Sequence, residues 1–305
     1  MSDRVGIPKA VDSSGRTFGR KAIEDEPPPF TRPLQCGGCT VTVNPVRGYR
    51  RRTASTWVAA HYRLTDRTRA PHDEDCRYDF DAQAGRLLHE HRSAIDHDGD
   101  IYELRLPVTG PRLDVPDVEP PADTAGRDRL TVHPRRGHQL EPTLSAAAAI
   151  ARLLAIYEND PDAQARFTAR WNGRRIPWKD FYFDSAHDAR HLARVVEQDE
   201  HPVAVSGVIK RAGPTTSGSA QLVELDTERG VSHAPTKRWI HIRALSNDTD
   251  RLDYAVGQRV LGYGQWATYI PDGQSNNHYV RLWVDHRSVI TATDPPVDHS
   301  GRSTP

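Results

Sequence analysis

The chain has 305 residues, and its 41 basic residues are balanced by 41 acidic ones, so the formal net charge at pH 7 is zero. A neutral protein has no overall field that attracts nucleic acid or a membrane surface, so any nucleic-acid site must be a local patch. The length exceeds that of a usual single core and predicts two or three domains. No run approaches about 18 apolar residues and no apolar signal region is visible, so we expect a cytoplasmic protein that does not enter a membrane.

The N-terminal part divides into a polar segment and a compact domain. Residues 1–30 are polar and end in an acidic, proline-rich run, which predicts a disordered segment. Residues 31–106 hold all three cysteines and predict a zinc-finger domain. Inside this domain we predict short strands at 41–43 and 56–62 and a helix within 77–92.

The three cysteines lie close in sequence to two well-spaced histidines. Cys36 and Cys39 form a C-x2-C knuckle, His61 follows, and His72 and Cys76 form an H-x3-C pair. Glycines allow the knuckle to bend so that both thiolates point at one place, and His72 and Cys76 would share one face of a helical turn. This spacing suits tetrahedral Zn²⁺, so we predict one structural zinc held by Cys36, Cys39, His72 and Cys76. His61 stays open as the alternative fourth ligand or as a residue that supports the ligands.

The same residues resemble a known type of bacterial finger. The segments Leu34–Cys39, Ala60–Leu64 and His72–Cys76 are similar to the N-terminal fingers of competence-type and mobile-element-associated bacterial proteins, across residues 34–76. Those fingers carry C-x2-C, a histidine followed by an aromatic residue, and a distal His or Cys. The nuclease motif of the competence family does not follow here, so the resemblance implies the finger and not nuclease activity. The excess of arginine over lysine is typical of a GC-rich genome and also favours a bacterial source.

The middle of the chain is predicted to hold a linker, helices and a hairpin. Residues 107–141 are rich in proline and acidic residues, which predicts a linker. Residues 142–200 are predicted to be a helical region. Its first helix runs over 142–159 with an apolar stripe, and its second runs from 184 or 185 to 197. Between them, Asn172-Gly173 favours the tight turn of a β-hairpin.

Residues 201–292 predict an all-β domain, and the polar tail at 293–305 is expected to be disordered. Strand-forming runs are separated by clusters of Gly, Pro, Ser and Asn. In the third run, Trp239, His241 and Arg243 alternate with apolar residues, as in a half-buried strand. The five predicted strands are Val203–Lys210, Ala220–Asp226, Arg238–Leu245, Gln258–Tyr269 and Tyr279–Ile290.

This all-β region resembles the OB-fold, a five-stranded Greek-key barrel. The resemblance rests on strand spacing over 201–292 and on the glycines in Val256–Trp266, which suit a tightly coiled strand. It implies binding of single-stranded nucleic acid by stacking of bases on aromatic residues in a basic groove, although about half of the aromatics in any barrel belong to its core. The predicted contributors are Lys210, Lys237, Trp239, His241, Arg243, Tyr263 and Trp266, with Trp266 alternatively in the core.

A second basic element lies in the finger, where an arginine-rich turn carries one aromatic residue. Such a turn could contact phosphates, although it is also typical of solvated surface. Its arginines are Arg47, Arg50, Arg51 and Arg52.

The predicted fold class is therefore α+β, with an N-terminal zinc-finger module, a short helical region and a C-terminal OB-like five-stranded β-barrel. The arginine turn and the aromatic-rich barrel favour a non-enzymatic, zinc-containing nucleic-acid-binding protein that prefers single strands. Net neutrality favours the alternative, a non-enzymatic adaptor that docks partner proteins within a bacterial DNA-processing, mobile-element or defence assembly. An enzyme with a catalytic zinc ranks last, because four or five candidate ligands leave no open position and no H-E-x-x-H motif is present.

Overall fold

The structure is a computed structural model of mixed α+β architecture, in which sheets predominate over helices. In the part of the chain that it describes, no helix is both long enough and apolar enough to cross a membrane. The predicted tail after residue 293 and most of the predicted linker lie outside that part. The described residues are 5–50, 57–66, 71–107, 134–216, 218, 220–227, 232–233, 238–247, 252–271, 277–284 and 290–293.

The chain divides into two compact units, each built from two stretches of sequence. The N-terminal unit comprises Met1–Tyr102 and Ala149–Phe167, and the C-terminal unit comprises Glu103–Ala148 and Thr168–Pro305. The predicted finger domain at 31–106 is thus smaller than the unit that contains it. Local composition, on which that prediction rests, carries no signal for a stretch that returns to a unit from later in the chain.

The N-terminal unit is built on a five-stranded antiparallel sheet with the order β2-β1-β3-β4-β7. A separate antiparallel pair, β5-β6, lies outside that sheet. The strands are β1 (Lys9–Val11), β2 (Thr17–Gly19), β3 (Leu34–Cys36), β4 (Thr42–Val46), β5 (Tyr49–Arg50), β6 (Trp57–Val58) and β7 (His61–Leu64).

The segment predicted to be disordered at 1–30 is folded from residue 5 onward, so that prediction is wrong for these residues. It supplies β1, β2 and a single 3₁₀ turn at Arg20–Ile23. Its few apolar residues enter the core, since Ala10 and Ile23 are buried. The buried Arg20 side chain is neutralised by an ion pair with Asp160. Short strands with one or two inward side chains give too weak an apolar pattern to be recognised in the sequence.

Helix α1 (Phe80–Glu90) lies within the predicted range 77–92 and begins later because of its cap. The Asp79 side chain accepts a hydrogen bond from the Ala82 N–H and satisfies one free donor of the first turn. Phe80, Ala84 and Leu87 share the buried face. Phe80 packs edge-on against Tyr157 with ring centroids 5.3 Å apart, which fixes α1 inside this unit.

A four-stranded sheet has the order β11-β10-β9-β8, and its strands are β8 (Ile95–Asp98), β9 (Ile101–Arg105), β10 (Phe167–Trp171) and β11 (Arg174–Pro177). The predicted hairpin is confirmed, because β10 and β11 pair in antiparallel register around Asn172-Gly173. These two residues have φ values of 50° and 79°, as required by a two-residue turn whose twist matches that of the strands.

The remaining helices are α2 (Pro134–Ile156), α3 (Pro161–Gln164), α4 (Trp178–Phe181) and α5 (Ala189–Gln198). Helix α2 begins before the predicted start at Pro142, which lies inside it. Proline is favoured in a first helical turn, so the sequence suggested a start where the helix already continues. Its predicted stripe is confirmed at Leu144, Ile150 and Leu154, which are buried.

The C-terminal unit is built on a nine-stranded sheet with the path β18-β19-β16-β14-β13-β17-β20, to which β12 and β15 add at β13 and β16. Neighbours are antiparallel except for the parallel pairs β12/β13 and β16/β19. The strands are β12 (Tyr182–Asp184), β13 (Val203–Pro214), β14 (Gln221–Leu225), β15 (Ser232–His233), β16 (Arg238–Ser246), β17 (Arg259–Gly264), β18 (Trp266–Tyr269), β19 (Asn277–Trp283) and β20 (Ile290–Ala292).

The five predicted strands are all present, but the described residues do not form a closed barrel. Their hydrogen-bonded path is open and ends at β18 and β20. The predicted strand 258–269 is interrupted at Gln265, so β17 pairs with β13 while β18 pairs with β19. The predicted strand 279–290 likewise separates into β19 and β20.

The core of the C-terminal unit packs helix α5 against this sheet. Leu192 and Ala193 of α5 are fully buried in one cluster with Val205, Ile242 and Val280 from three strands. Full burial of such side chains contributes about 1.5–3 kcal/mol each, so this cluster fixes the strand register.

Gly207 on β13 packs closely against Ser185, which follows β12, and this contact predicts an effect on stability. A Cβ at Gly207 would lie 2.1 Å from Ser185 Oγ, whose hydroxyl donates a 2.6 Å hydrogen bond to Asp226 O. Gly207→Ala should therefore destabilise the C-terminal unit by about 2 kcal/mol. At Gly85, inside α1, a Cβ would meet no atom within 4 Å, so Gly85→Ala should stabilise by about 1 kcal/mol.

Urea unfolding of both alanine variants, followed by tryptophan fluorescence and circular dichroism, tests this opposite pair of effects. An unchanged midpoint for Gly207→Ala would show that Ser185 moves aside at no cost.

Candidate functional site

Four potential metal ligands converge in the N-terminal unit. The ligand atoms of Cys36, Cys39, His72 and Cys76 all lie within 4.8 Å of one another. Cys36 ends strand β3, and the other three lie on two loops that follow β3 and precede α1. The structure thus brings together the four residues that sequence spacing selected.

Two of the distances between these atoms are close to those of tetrahedral coordination. Cys36 Sγ lies 3.7 Å from Cys76 Sγ, and Cys39 Sγ lies 3.3 Å from His72 Nδ1. Bond lengths of about 2.3 Å to sulfur and about 2.0 Å to nitrogen predict separations of about 3.8 Å and about 3.5 Å in a tetrahedral zinc site. The donor set, three thiols and one imidazole, is also of the kind that prefers zinc.

The knuckle that carries Cys36 and Cys39 is closed by backbone contacts. Gly37 N–H donates to Lys9 O at 2.9 Å, which attaches the knuckle to β1. Gly38 N–H points at Cys36 Sγ at 3.5 Å. A Cβ on Gly38 would lie 3.1 Å from Cys76 Sγ, so a side chain at this position would crowd the second half of the site.

The loop that carries His72 and Cys76 is a pair of turns and not the expected helical turn. Cys76 N–H donates to Asp73 O at 2.9 Å, and Tyr78 N–H points at Cys76 Sγ at 3.4 Å. Asp73 also accepts from Thr40 N–H at 3.4 Å, which joins this loop to the knuckle. The prediction that His72 and Cys76 share a helical face is therefore wrong, although the two side chains do meet.

Burial at Cys36, His72 and Cys76 favours their neutral forms unless a cation is bound. Burial raises the pKa of both Cys36 and Cys76, and the proximity of further thiols raises the pKa of Cys36 still more. Burial lowers the pKa of His72. Packed thiols cannot all ionise beside one another without a compensating positive charge, and a divalent cation would supply it.

His61 lies outside the group of four. Its ring is on β7, with Nδ1 3.0 Å from Ala59 O. It borders a cavity of about 100 Å³ that His72 also borders. The group of four converging ligand residues does not include His61, so a ligand role for His61 stays a prediction.

In the C-terminal unit, aromatic and arginine side chains share one face of the sheet. Trp239 is 48% exposed, which is unusual for a tryptophan in a strand. Strand β19 alternates between half-buried and buried residues, so its half-buried residues lie beside those of β16. The parallel register pairs Trp239 with Asn277, His241 with Tyr279, and Arg243 with Arg281.

Two arginines and two tyrosines of this face stack across three strands. Arg281 Cζ lies 3.7 Å from the ring centroid of Tyr269 and 5.2 Å from that of Tyr279. Arg243 Cζ lies 4.2 Å from the Tyr279 ring centroid. We call Trp239, His241, Arg243, Tyr269, Tyr279 and Arg281 the aromatic–arginine face.

A buried carboxylate anchors this face. Arg243 Nε donates to Glu224 Oε2 at 2.9 Å, and His241 Nδ1 lies 3.1 Å from Glu224 Oε1. Burial alone would raise the pKa of Glu224, but the hydrogen bond from His241 and the charge of Arg243 lower it to about 2. Glu224 and Tyr279 were missed by sequence reasoning. The alternation in Asn277–Trp283 was the one signal for Tyr279.

Two predicted stacking residues do not belong to this face. Tyr263 is 1% exposed and Trp266 is 8% exposed, and Trp266 Nε1 donates to Val203 O at 3.2 Å. Neither ring can receive a base in this structure, so they are core residues, as the sequence had allowed for Trp266. Both faces of β17 are buried, and its glycines mark close packing.

The predicted basic residues that the structure describes lie on different elements of the fold. Lys210 is exposed on β13, and Arg50 is exposed on β5. Arg47 forms an exposed 2.7 Å ion pair with Glu26. Arg51, Arg52 and Lys237 lie outside the described residues.

Comparisons with known proteins give little help. No family model and no curated protein matches the chain. A solved structure described as a putative aspartyl-tRNA synthetase from Leishmania major Friedlin is similar over 36% of this chain and 23% of its own length, at 7% identity and a TM-score of 0.20. The chain thus matches under a quarter of that protein, and a TM-score this low supports neither a shared fold nor a shared activity.

The Glu224 network predicts a pH-dependent contribution to stability. Its pKa in the folded protein, about 2, lies below the ordinary value of 4.5, so its stabilising effect is complete above pH 4.5 and is lost as the pH falls towards 2. Glu224→Gln should lower the free energy of unfolding by up to about 3 kcal/mol at pH 7. The difference from the native protein should shrink below pH 4.5.

Urea unfolding at pH 7, pH 4 and pH 2.5 measures this difference, with Glu141→Gln as the control because Glu141 is exposed on α2. An equal loss of stability at all three pH values would contradict a role for the Glu224 charge.

Proposed function

We propose that the chain is a non-enzymatic nucleic-acid-binding protein that holds one structural zinc and binds single strands on the aromatic–arginine face. The observation that carries the proposal is the stack of Tyr269, Arg281, Tyr279 and Arg243 beside the exposed Trp239. Stacking on such rings is how sequence-tolerant proteins hold unpaired bases.

Single strands are favoured over duplexes because of the kind of contact that this face offers. A tryptophan ring that is about half exposed offers its faces to an unstacked base, whereas bases in a duplex already stack on each other. The strands that carry the face are firmly held, since Ile242 and Val280 between its residues are buried. A rigid platform loses little conformational entropy on binding.

Charge plays a smaller part in this proposal than the sequence suggested. The guanidinium of Arg243 is paired with Glu224, and its plane is engaged with Tyr279. Arginine held in this way extends the stacking surface more than it neutralises phosphate. We therefore expect moderate dependence of the affinity on salt, set by few phosphate contacts.

An OB-like closure of the C-terminal sheet is part of the proposal. Strands β13, β14 and β16 are antiparallel neighbours in that order, and β16 then pairs in parallel with β19. This order agrees with that of a five-stranded Greek-key barrel. Strands β17 and β18 are separated by the single residue Gln265 and pair with β13 and β19 respectively. A continuous β17–β18 segment would thus join the two ends of the five-stranded set.

Zinc in the N-terminal unit is proposed from the donor set and its spacing. Cys36, Cys39, His72 and Cys76 would hold the ion, which would compensate the charge of the buried thiolates and join the two loops. Four protein ligands leave no open coordination position, which supports a structural role over a catalytic one.

Replacing the exposed tryptophan tests the stacking surface. Trp239→Ala should weaken binding of a labelled single-stranded oligonucleotide by about tenfold, because each stacked base contributes about 1–3 kcal/mol. Fluorescence anisotropy of the full chain, at two salt concentrations and with a duplex for comparison, measures this effect. Val256→Ala is the matched control, since Val256 is an exposed apolar residue of the same unit.

Unchanged affinity in Trp239→Ala, with native thermal unfolding, would remove the face from the proposal. If the native chain binds no oligonucleotide even at low salt, the adaptor hypothesis replaces nucleic-acid binding.

Single substitutions of the candidate ligands test the metal. The native chain should contain one zinc, and Cys39→Ala and His72→Ala should lose it, because each removes one of the four ligands. Metal binding at such sites supplies about 10 kcal/mol to folding, so both variants should also destabilise the N-terminal unit. His61→Ala should retain it, since His61 lies outside the group of four. Elemental analysis after gel filtration gives the zinc content, and limited proteolysis reports on the N-terminal unit.

Zinc lost from His61→Ala but kept by His72→Ala would reverse the assignment of the fourth ligand. Native protein with far less than one zinc per chain would refute the metal itself.

A further inference from the structure

A second group of basic side chains lies on the four-stranded sheet. Glu103 on β9 is 1% exposed, yet it carries a carboxylate. Arg170 on β10 forms an ion pair with Glu103 Oε1, and Arg175 on β11 donates from Nε to Glu103 Oε2 at 2.7 Å. A buried carboxylate is costly unless it is paired, and here two arginines pair with it.

The hairpin geometry places the two arginines side by side. Arg170 and Arg175 are directly opposite each other in the antiparallel β10–β11 register, so their side chains leave the same face of the sheet. The turn at Asn172-Gly173 fixes this register. The spacing of the two side chains is therefore set by the backbone.

Both arginines remain accessible although they are anchored. The Arg170 side chain is 48% exposed and the Arg175 side chain is 47% exposed, whereas Glu103 beneath them is buried. The contact with Glu103 engages the Nε side of each group, and a guanidinium has five N–H donors in all. The two guanidinium groups share the Glu103 carboxylate as an anchor.

We propose that Arg170 and Arg175, held in place by Glu103, form a phosphate-binding clamp. Planar guanidinium groups match phosphate oxygens in pairs, which makes arginine the preferred residue for this ligand. The clamp takes a phosphodiester of a nucleic-acid backbone or a free phosphate. Binding of a nucleic-acid phosphodiester by the clamp rests on the proposed function.

The role of Glu103 is to organise the clamp. Free arginine side chains lose much rotamer entropy when they bind, and anchoring removes part of that cost before the ligand arrives. A purely structural ion pair would need only one arginine to neutralise Glu103.

Arg174 provides a control from the same hairpin. It lies opposite Trp171 in the register, one position away from the clamp, and it pairs with Asp199 at 3.3 Å. Because neighbouring residues in a strand point to opposite faces, Arg174 points away from Arg175. Replacing it removes the same charge without touching the clamp.

The test compares a neutral clamp with this control in the full chain. A triple variant, Glu103→Gln with Arg170→Gln and Arg175→Gln, removes the clamp without leaving a buried unpaired carboxylate. Its affinity for a single-stranded oligonucleotide should fall by about tenfold. Its slope of log affinity against log salt should flatten by about 0.7 for each phosphate that the protein no longer neutralises. Arg174→Gln should change the affinity by less than about twofold and should leave the salt slope unchanged.

Two measurements on the native chain avoid any dependence on folding of the triple variant. Phenylglyoxal modification, read by mass spectrometry, should be slowed at Arg170 and Arg175 by the oligonucleotide or by inorganic phosphate, while Arg174 reacts at an unchanged rate. Calorimetric titration with inorganic phosphate separates the two sources of the ligand.

Each outcome decides the proposal. Phosphate binding that is absent from the triple variant, in a chain that binds no oligonucleotide, would support the clamp and refute the proposed function. Unchanged oligonucleotide affinity and salt slope in the triple variant, with no heat from inorganic phosphate and no protection of Arg170 or Arg175 by either ligand, would overturn the clamp and leave the proposed function standing. Native protein that binds neither ligand would overturn both.

Discussion

The N-terminal unit depends on the burial of Cys36 and Cys76 with their sulfur atoms 3.7 Å apart inside its apolar core. Burial raises the pKa of both thiols, so they stay protonated unless a cation binds and takes the place of their protons. The same sulfurs receive backbone N–H groups from Gly38 and Tyr78. The two loops that meet there join the end of β3 to the start of α1, so ligand geometry and core packing are one constraint.

Carboxylates that position arginines recur in both units. Asp160 holds the buried Arg20, Glu103 holds Arg170 and Arg175, and Glu224 holds Arg243. In each case the acid is less than a tenth exposed. A net charge of zero therefore does not mean a featureless surface. Part of the acidic content lies inside the protein and fixes the direction of basic groups.

The sequence predicted the parts of the structure that depend on local chemistry. The C-x2-C knuckle, the Asn172-Gly173 hairpin and the alternation around Trp239 all rest on residues that are close in the chain. Tyr263 was placed wrongly because β17 is buried on both faces, so alternation could not distinguish inside from outside. Tyr279 could not be assigned to the face from the sequence, because its place there depends on the pairing of β19 with β16, which are distant in the chain.

The parallel pairing of β16 with β19 also has a consequence for the order of folding. Trp239 lies beside Asn277, which follows about 40 residues later in the chain, so closing this contact costs more loop entropy than forming a hairpin. The pair β13/β14 joins strands that are consecutive in the chain, whereas the surface shared by β16 and β19 forms only when the long intervening segment closes. A partly unfolded chain in which this long-range pairing is lost would therefore lack the surface that the two strands share.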